Sequence, residues 1–137
     1  LVAGFVSTSA HAQTTATLAT DGRAAHPIVL AKGASERTRK AAETLADYLG
    51  KISGGKFDIV TGDGSAGIAV GVARDFPALK LADAFLSKEP TRTEDYLLRS
   101  HAKGLYLLGA SEQAVEHAVW DLLYRLGHRQ FFPGPTW

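Results

Sequence analysis

The sequence predicts an α+β domain: a two-layer sandwich with one mostly antiparallel sheet of about six strands and two main helices on one face. Three observations lead there. Two long segments repeat apolar residues at helical spacing between a serine start and a glycine stop. Short apolar runs bounded by turn residues stand before and between those segments. The chain has 137 residues, 45% apolar and 21% charged, which suits one ordinary domain with its own core.

Within Thr14 to Ala31, Asp21-Gly22 is a two-residue hairpin signal, because glycine tolerates the positive φ that such a turn demands. Ala16 to Thr20 and Pro27 to Ala31 are its expected strands, with Pro27 at a strand start or edge because it lacks an N–H. Ser35 to Ile52 reads as the first helix. Ser35 is its cap, Glu36 favours the positive end of the dipole, and Ala41, Leu45, Tyr48, Leu49 and Ile52 form the apolar stripe. Gly54-Gly55 ends it.

Two short apolar strands follow, Phe57 to Val60 and Ile68 to Gly71, then a weak helical stretch interrupted by Pro77. "DYLLRSH" and "GLYLLGA" make a second hairpin across Ala102-Lys103, with at least one strand covered on both faces. Ser111 caps the last helix. Val115, Ala118, Val119, Leu122, Leu123 and Leu126 form its stripe, and Gly127 stops it.

Net charge is +1, from 15 basic and 14 acidic residues that are scattered along the chain. Phosphate-backbone binding needs clustered Lys and Arg, so no nucleic acid partner is expected. With no cysteine, there is no disulfide, thiol chemistry or Cys-ligated metal. No run of about 18 apolar residues occurs, so no membrane span is expected. The sequence also lacks methionine, even at position 1, so residues are expected to be missing in front.

"LVAGFVSTSAHAQ" opens with an apolar run and reaches Ala10-His11-Ala12, the small-x-small pattern that signal peptidase cuts. Residues 1–12 therefore read as a signal peptide remnant and Gln13 as the mature start, which implies export to the periplasm or exterior. The competing reading is a disordered or strand-forming N-terminus that happens to be Ala-rich.

"GDGSAG", Gly62 to Gly67, matches G-x-G-x-x-G letter for letter. The dinucleotide motif needs a helix after its glycines, whose free amides hold the pyrophosphate. Here Ile68-Ala69-Val70-Gly71 follows, which is strand, so a plain loop is the better reading and no cofactor is expected. His117 beside Glu116 lacks a second histidine four residues away, so no H-E-x-x-H zinc motif exists. His26, His101 and His128 read as surface or capping residues, and His11 leaves with the signal peptide. Glu112 and Glu116 lie four apart on one helix face, and Glu94-Asp95 sits at a loop-to-strand junction. Neither pair faces across a cleft as glycoside hydrolysis requires. No G-x-S-x-G places a nucleophilic serine. No catalytic or metal-binding residue is assigned.

Trp120, Tyr124, Phe131, Phe132 and Trp137 crowd the last eighteen residues. Core packing accounts for Trp120 and Phe131. It does not account for Trp137, which follows Pro133-Gly134-Pro135 outside any regular element. Arg129, Phe132 and Trp137 are the expected contacts to another domain or a glycan.

The segments "AAETLADYLGKISGGKFDIV" and "EDYLLRSHAKGLYLLGASEQAVEHAVWDLLYRLGHRQFFPG" resemble the N-terminal domain that precedes the barrel in α-glucuronidase-like and β-hexosaminidase-like glycoside hydrolases. The order is helix, "ISGG" turn, strands, hairpin, a helix ending "LGHR", then aromatic-aromatic-Pro-Gly. The resemblance is greatest to bacterial secreted proteins that join this domain to a DUF4838-type barrel, and covers about residues 15–137. After Gly109 many relatives carry an Arg-Gly turn. Here Ala110-Ser111-Glu112-Gln113 stands there, so no role of that arginine transfers.

The resemblance implies an α+β domain without catalytic residues, the acid and base lying in the (β/α)8 barrel that follows. It divides the chain into a signal remnant (1–12), an accessory domain (13–132) and the start of a linker (133–137). It also implies one partner, the downstream barrel of the same polypeptide, and the aromatic residues add a polysaccharide or glycan as a second. The competing function is a free-standing carbohydrate-binding module. A third is a nucleotide-binding enzyme fragment using the 62–67 loop.

Overall fold

A computed structural model describes residues 2–5, 14–81, 85 and 93–128. The fold is an α+β sandwich of two helices on a mixed five-stranded sheet, with two small antiparallel ribbons beside it. The first ribbon pairs β1 (Val2–Phe5) with β2 (Thr14–Thr17). β1 falls within the stretch read as a signal peptide, whereas Ala10-His11-Ala12 and Gln13 lie outside the described residues. Ala16 and Leu18 are already part of the core.

The second ribbon is the hairpin expected at Asp21-Gly22. β3 (Ala19–Thr20) pairs with β4 (Arg23–Ala24), and both turn residues have positive φ, 50° and 73°. The expected partner strand is a correction. β5 (Ile28–Leu30) takes no part in this hairpin and instead joins the main sheet. Pro27 sits at its start, where its carbonyl accepts the Ile68 N–H at 2.9 Å and its missing N–H costs nothing.

Helix α1 (Glu36–Ser53) forms as its sequence dictates. The Ser35 side chain accepts from the Thr38 N–H at 3.2 Å, and Gly54, at φ 76°, returns its N–H to the Gly50 carbonyl at 2.8 Å. Thr38, Ala41, Ala42, Leu45 and Leu49 are buried, while Glu36–Lys40 and Asp47–Lys51 pair four residues apart on the outer side. Ile52 lies on the same stripe but in the last turn, where the stripe outruns its cover, and it is exposed.

The main sheet runs β6 (Ile59–Thr61), β5, β7 (Gly67–Val72), β9 (Gly104–Gly109), β8 (Tyr96–His101). Its direction corrects the expectation of a mostly antiparallel sheet. β5–β6, β5–β7 and β7–β9 are parallel, and only the β8–β9 hairpin is antiparallel. The reason is connectivity. α1 is a crossover that carries the chain from the end of β5 back to the start of β6, so the two strands must point the same way.

Alternation sorts the strand residues between two faces. Ile28, Leu30, Ile68, Val70, Val72, Leu105 and Leu107 pack with the helices. Val29, Ala31, Ala69 and Leu108 point the other way, onto Ala73 and Phe76 with half-buried Leu79, Leu81, Leu97 and Tyr106. The weak helical stretch of the sequence proves to be two single 3₁₀ turns, Ala73–Asp75 and Pro77–Leu79, which lay Phe76 over this second face. All six residues of β7 are therefore buried.

Helix α2 (Glu112–Arg125) closes the sandwich beside α1. The Ser111 side chain accepts from the Ala114 N–H, and Gly127, at φ 100°, ends the helix. Its N–H reaches the Tyr124 carbonyl and the His128 N–H reaches Leu123, the double bond of a Schellman stop. His128 thus caps with its backbone, not its ring.

Leu122 is fully buried in this layer, whereas Glu116 sits on its outer flank. Leu122→Ala is expected to destabilise the domain by about 2–5 kcal/mol. Glu116→Ala is expected to shift the melting temperature far less. Equal losses in thermal unfolding would show that the buried face is wrongly assigned.

Candidate functional site

The residues expected to contact another domain or a glycan, Arg129, Phe132 and Trp137, lie outside the described residues, as do Phe131 and the linker 133–137. The described chain stops at His128. Among the described residues no group of three His, Asp or Glu side chains is placed to hold a metal ion.

The glycine-rich loop has a structural explanation. It is the link, 62–66, between β6 and β7, which both run parallel to the intervening β5. Parallel neighbours normally need a crossover of a dozen residues or more. Here the chain crosses directly over β5 instead, with no room for a side chain at Gly62 or Gly64. A Cβ on Gly62 would lie 3.0 Å from Val29 Cγ1, and one on Gly64 would lie 2.8 Å from Phe76 Cδ1. Gly64 and Gly67 also hold φ of 79° and 86°. Asp63 Oδ1 accepts from the Ser65 N–H at 2.9 Å and its hydroxyl at 2.6 Å, which holds the carboxyl below its ordinary range. β7, not a helix, follows, so no row of amides faces a phosphate. Calorimetry with NAD or ATP is expected to show no saturable heat, and Gly64→Val to destabilise the chain without changing that result. Nucleotide binding abolished by Gly64→Val would refute the crossover explanation.

A second place of interest is the surface shared by the two helices. Arg37 Nε and Nη2 on α1 donate to Glu116 Oε1 and Oε2 on α2 at 2.7 and 2.8 Å, a bidentate clasp. The hydrogen bonds from Arg37 hold the Glu116 carboxyl below its usual range, against a small opposing effect of burial, and Glu116 raises Arg37 in turn. Below the clasp, Lys40, Ala41 and Thr44 of α1 face Glu116, Val119 and Trp120 of α2 across a groove of about 120 Å³. On each helix these positions are spaced i, i+1 or i+3, and i+4, and so fall on one side.

Trp120 corrects the sequence reading, which placed it in the core. Its side chain is 40% exposed, because Val115, Ala118, Val119, Leu122 and Leu123 already fill the core face and turn Trp120 onto the flank beside α1. Tyr124, at 60%, is more exposed still. The Trp120 ring meets Tyr48 edge-on at 5.6 Å, and His128 completes the cluster at 4.5 Å from Tyr48 and 5.8 Å from Trp120. Lys51 Nζ stands 4.9 Å from the Tyr48 ring centre. Sequence reasoning missed this groove. Arg37 and Glu116 are 79 residues apart, and nothing local marks them as partners. The one available signal was that Trp120 falls off the apolar stripe.

Asp121 and Glu94 serve local structure. Asp121 accepts from Tyr96 and from Arg125, Glu94 accepts from Gln113, and the Ser111 hydroxyl donates to the Thr93 carbonyl. Burial raises the Tyr96 phenol, and its bond to Asp121 adds to the effect.

Among the histidines, His26 lies in the bend before β5, while His101 ends β8. The His101 ring stacks on Tyr106 at 4.0 Å, and Nδ1 accepts from the Lys103 N–H at 3.3 Å. Burial, with His26 and Lys103 nearby, lowers its pKa from 6.5. The unfolded chain then binds a proton more readily than the folded one, so His101 costs stability as pH falls from 6.5 towards its lower folded value. His101→Phe, which keeps a ring on Tyr106, is expected to flatten that acidic slope in a melting-temperature profile. An unchanged slope would show that His101 does not carry it.

No family model matches the chain, and no curated protein sequence matches it. Solved structures do. A GH138 enzyme targeting pectin rhamnogalacturonan II matches with a TM-score of 0.51 and 14% identity, over 73% of this chain and 10% of its own. A family GH115 4-O-methyl-α-glucuronidase with specificity for decorated arabinogalactans matches with a TM-score of 0.52 and 18% identity, over 78% of this chain and 14% of its own. The chain therefore shares the fold of a small part of each of these glycoside hydrolases.

Proposed function

We propose that this chain is a non-catalytic N-terminal accessory domain of an exported carbohydrate-active hydrolase, α-glucuronidase- or hexosaminidase-like. In this reading it packs against a downstream (β/α)8 catalytic domain, with Arg129, Phe132 and Trp137 at the junction. The observation that carries it is the pair of solved hydrolases whose chains contain this fold as one small part. The order of motifs from "AAETLADYLG" to "FFPG" supports the same placement. Export rests on the apolar run and the Ala10-His11-Ala12 pattern.

The chemistry of the described surface agrees with a role other than turnover. Glu116, Asp121, Asp47 and Asp63 are each committed to a neighbouring donor on an open surface. A glycosidase needs one carboxyl with a raised pKa facing another across a sugar. Asp63 and Glu116 are both shifted the other way.

The test is activity on aryl glycosides, measured for the 137-residue chain and for the longer reading frame that contains it. Turnover is expected only from the longer protein, and it should survive Glu94→Gln and Glu112→Gln. Turnover by the 137-residue chain, lost on either substitution, would overturn the accessory reading.

A further inference from the structure

We propose that the groove between α1 and α2 is a binding subsite for one neutral pyranose ring. Trp120 would be its stacking platform, and Glu116, Thr44 and Lys40 its hydroxyl contacts. The inference rests on the carbohydrate association proposed above, but not on any second domain.

A pyranose has an apolar C–H face and a rim of hydroxyls. It needs an accessible aromatic plane beside groups that both donate and accept hydrogen bonds. The groove supplies both. Trp120 is 40% exposed, and Val119 and Ala41 line the groove with it. Each Glu116 oxygen accepts one bond from Arg37 and keeps further acceptor capacity for a sugar hydroxyl. The clasp also fixes that carboxylate in advance, so its side-chain entropy is already lost before a ligand arrives. Lys40 offers donors beyond the one engaged with Glu36 at 3.0 Å. Thr44 offers a hydroxyl that can play either part.

Charge narrows the ligand. Both lysine and glutamate in the groove have an opposite partner, Lys40 with Glu36 and Glu116 with Arg37. The lining is therefore close to neutral, with no excess positive charge to hold a phosphate or a uronate. A wholly apolar partner fares no better, because covering Glu116, Lys40 and Thr44 without bonding them is unfavourable. A neutral sugar satisfies both restrictions. A groove of about 120 Å³ holds a single ring at most, so affinity on the order of 1 mM is expected for one subsite.

The experiment is a two-dimensional NMR titration of the 137-residue chain with neutral galacto- and xylo-oligosaccharides, and with glucuronic acid as a separate arm. At tens of millimolar ligand, saturable shifts are expected at the Trp120 indole N–H and at the amides of Lys40, Ala41, Thr44 and Glu116. Glucuronic acid should bind more weakly. Trp120→Ala should weaken binding about tenfold or more. Trp120→Phe should retain part of it, and Tyr124→Ala, outside the groove, should change nothing. Thr44→Val gives a second, volume-conserving variant should the tryptophan change disturb folding. Three outcomes would overturn the proposal: no saturable shift with any neutral sugar, shifts that ignore Trp120→Ala and Thr44→Val, or self-association of the chain through Trp120 in place of sugar binding. None of these bears on whether the longer protein turns over glycosides, so the accessory reading stands or falls separately.

Discussion

The arrangement depends on one strand with no polar side. β7 is buried along its whole length, with Ile68, Val70 and Val72 against the helices and Ala69 beneath Phe76. A strand covered on both faces needs two layers of cover and a hydrogen-bonded neighbour on each edge. β5 and β9 supply the edges, and both lie parallel to it. Parallel neighbours in turn demand crossovers, and the chain meets that demand in two ways. α1 returns it from β5 to β6, and the bare glycine loop carries it over Val29 into β7. The helices, the 3₁₀ turns over the second face and the run of glycines are all consequences of burying β7.

Much of this was legible in the sequence, and the limits follow a physical boundary. Local chemistry was readable. Ser35 and Ser111 cap where expected, Gly54 and Gly127 stop the helices, Asp21-Gly22 turns, and the β8–β9 hairpin pairs His101 with Gly104 across Ala102-Lys103. Each of these is decided by residues within a few positions of one another. Strand direction was not readable, because Pro27 to Ala31 looks the same whether its partner is the preceding ribbon or β7, far along the chain. The continuous apolar character of Ile68 to Val72 was the available clue to a parallel, doubly covered strand. At the candidate site the same boundary applies. Trp120 and Glu116 are one helical turn apart, but Arg37, Lys40 and Thr44 reach them only through the packing of α1 on α2.

The two glycine-rich and carboxylate-rich features that suggest enzymes are both absorbed by structure. The 62–67 run shares its letters with a phosphate-binding loop, but its glycines answer Val29, Phe76 and Pro27 and not a ligand. Glu116, which stands beside a histidine in the sequence, spends its charge on Arg37. Among the described residues, one feature open to solvent is the polar-rimmed aromatic groove on the helical layer. The fold itself recurs as a small part of larger glycoside hydrolases.

The parallel placement of β7 is the claim on which the rest turns, and nuclear Overhauser contacts between backbone protons test it directly. Parallel pairing predicts contacts that advance together along both chains, from Gly67 beside Gly104 to Val72 beside Gly109, and from Ile28 beside Ile68 to Val29 beside Ala69. It also predicts slow hydrogen exchange at the Ile68 N–H, bonded to Pro27, and at the Gly67 N–H, bonded to Lys103. Contacts that run in opposite directions along β7 and β9, with Gly67 near Gly109, would contradict the account at its centre.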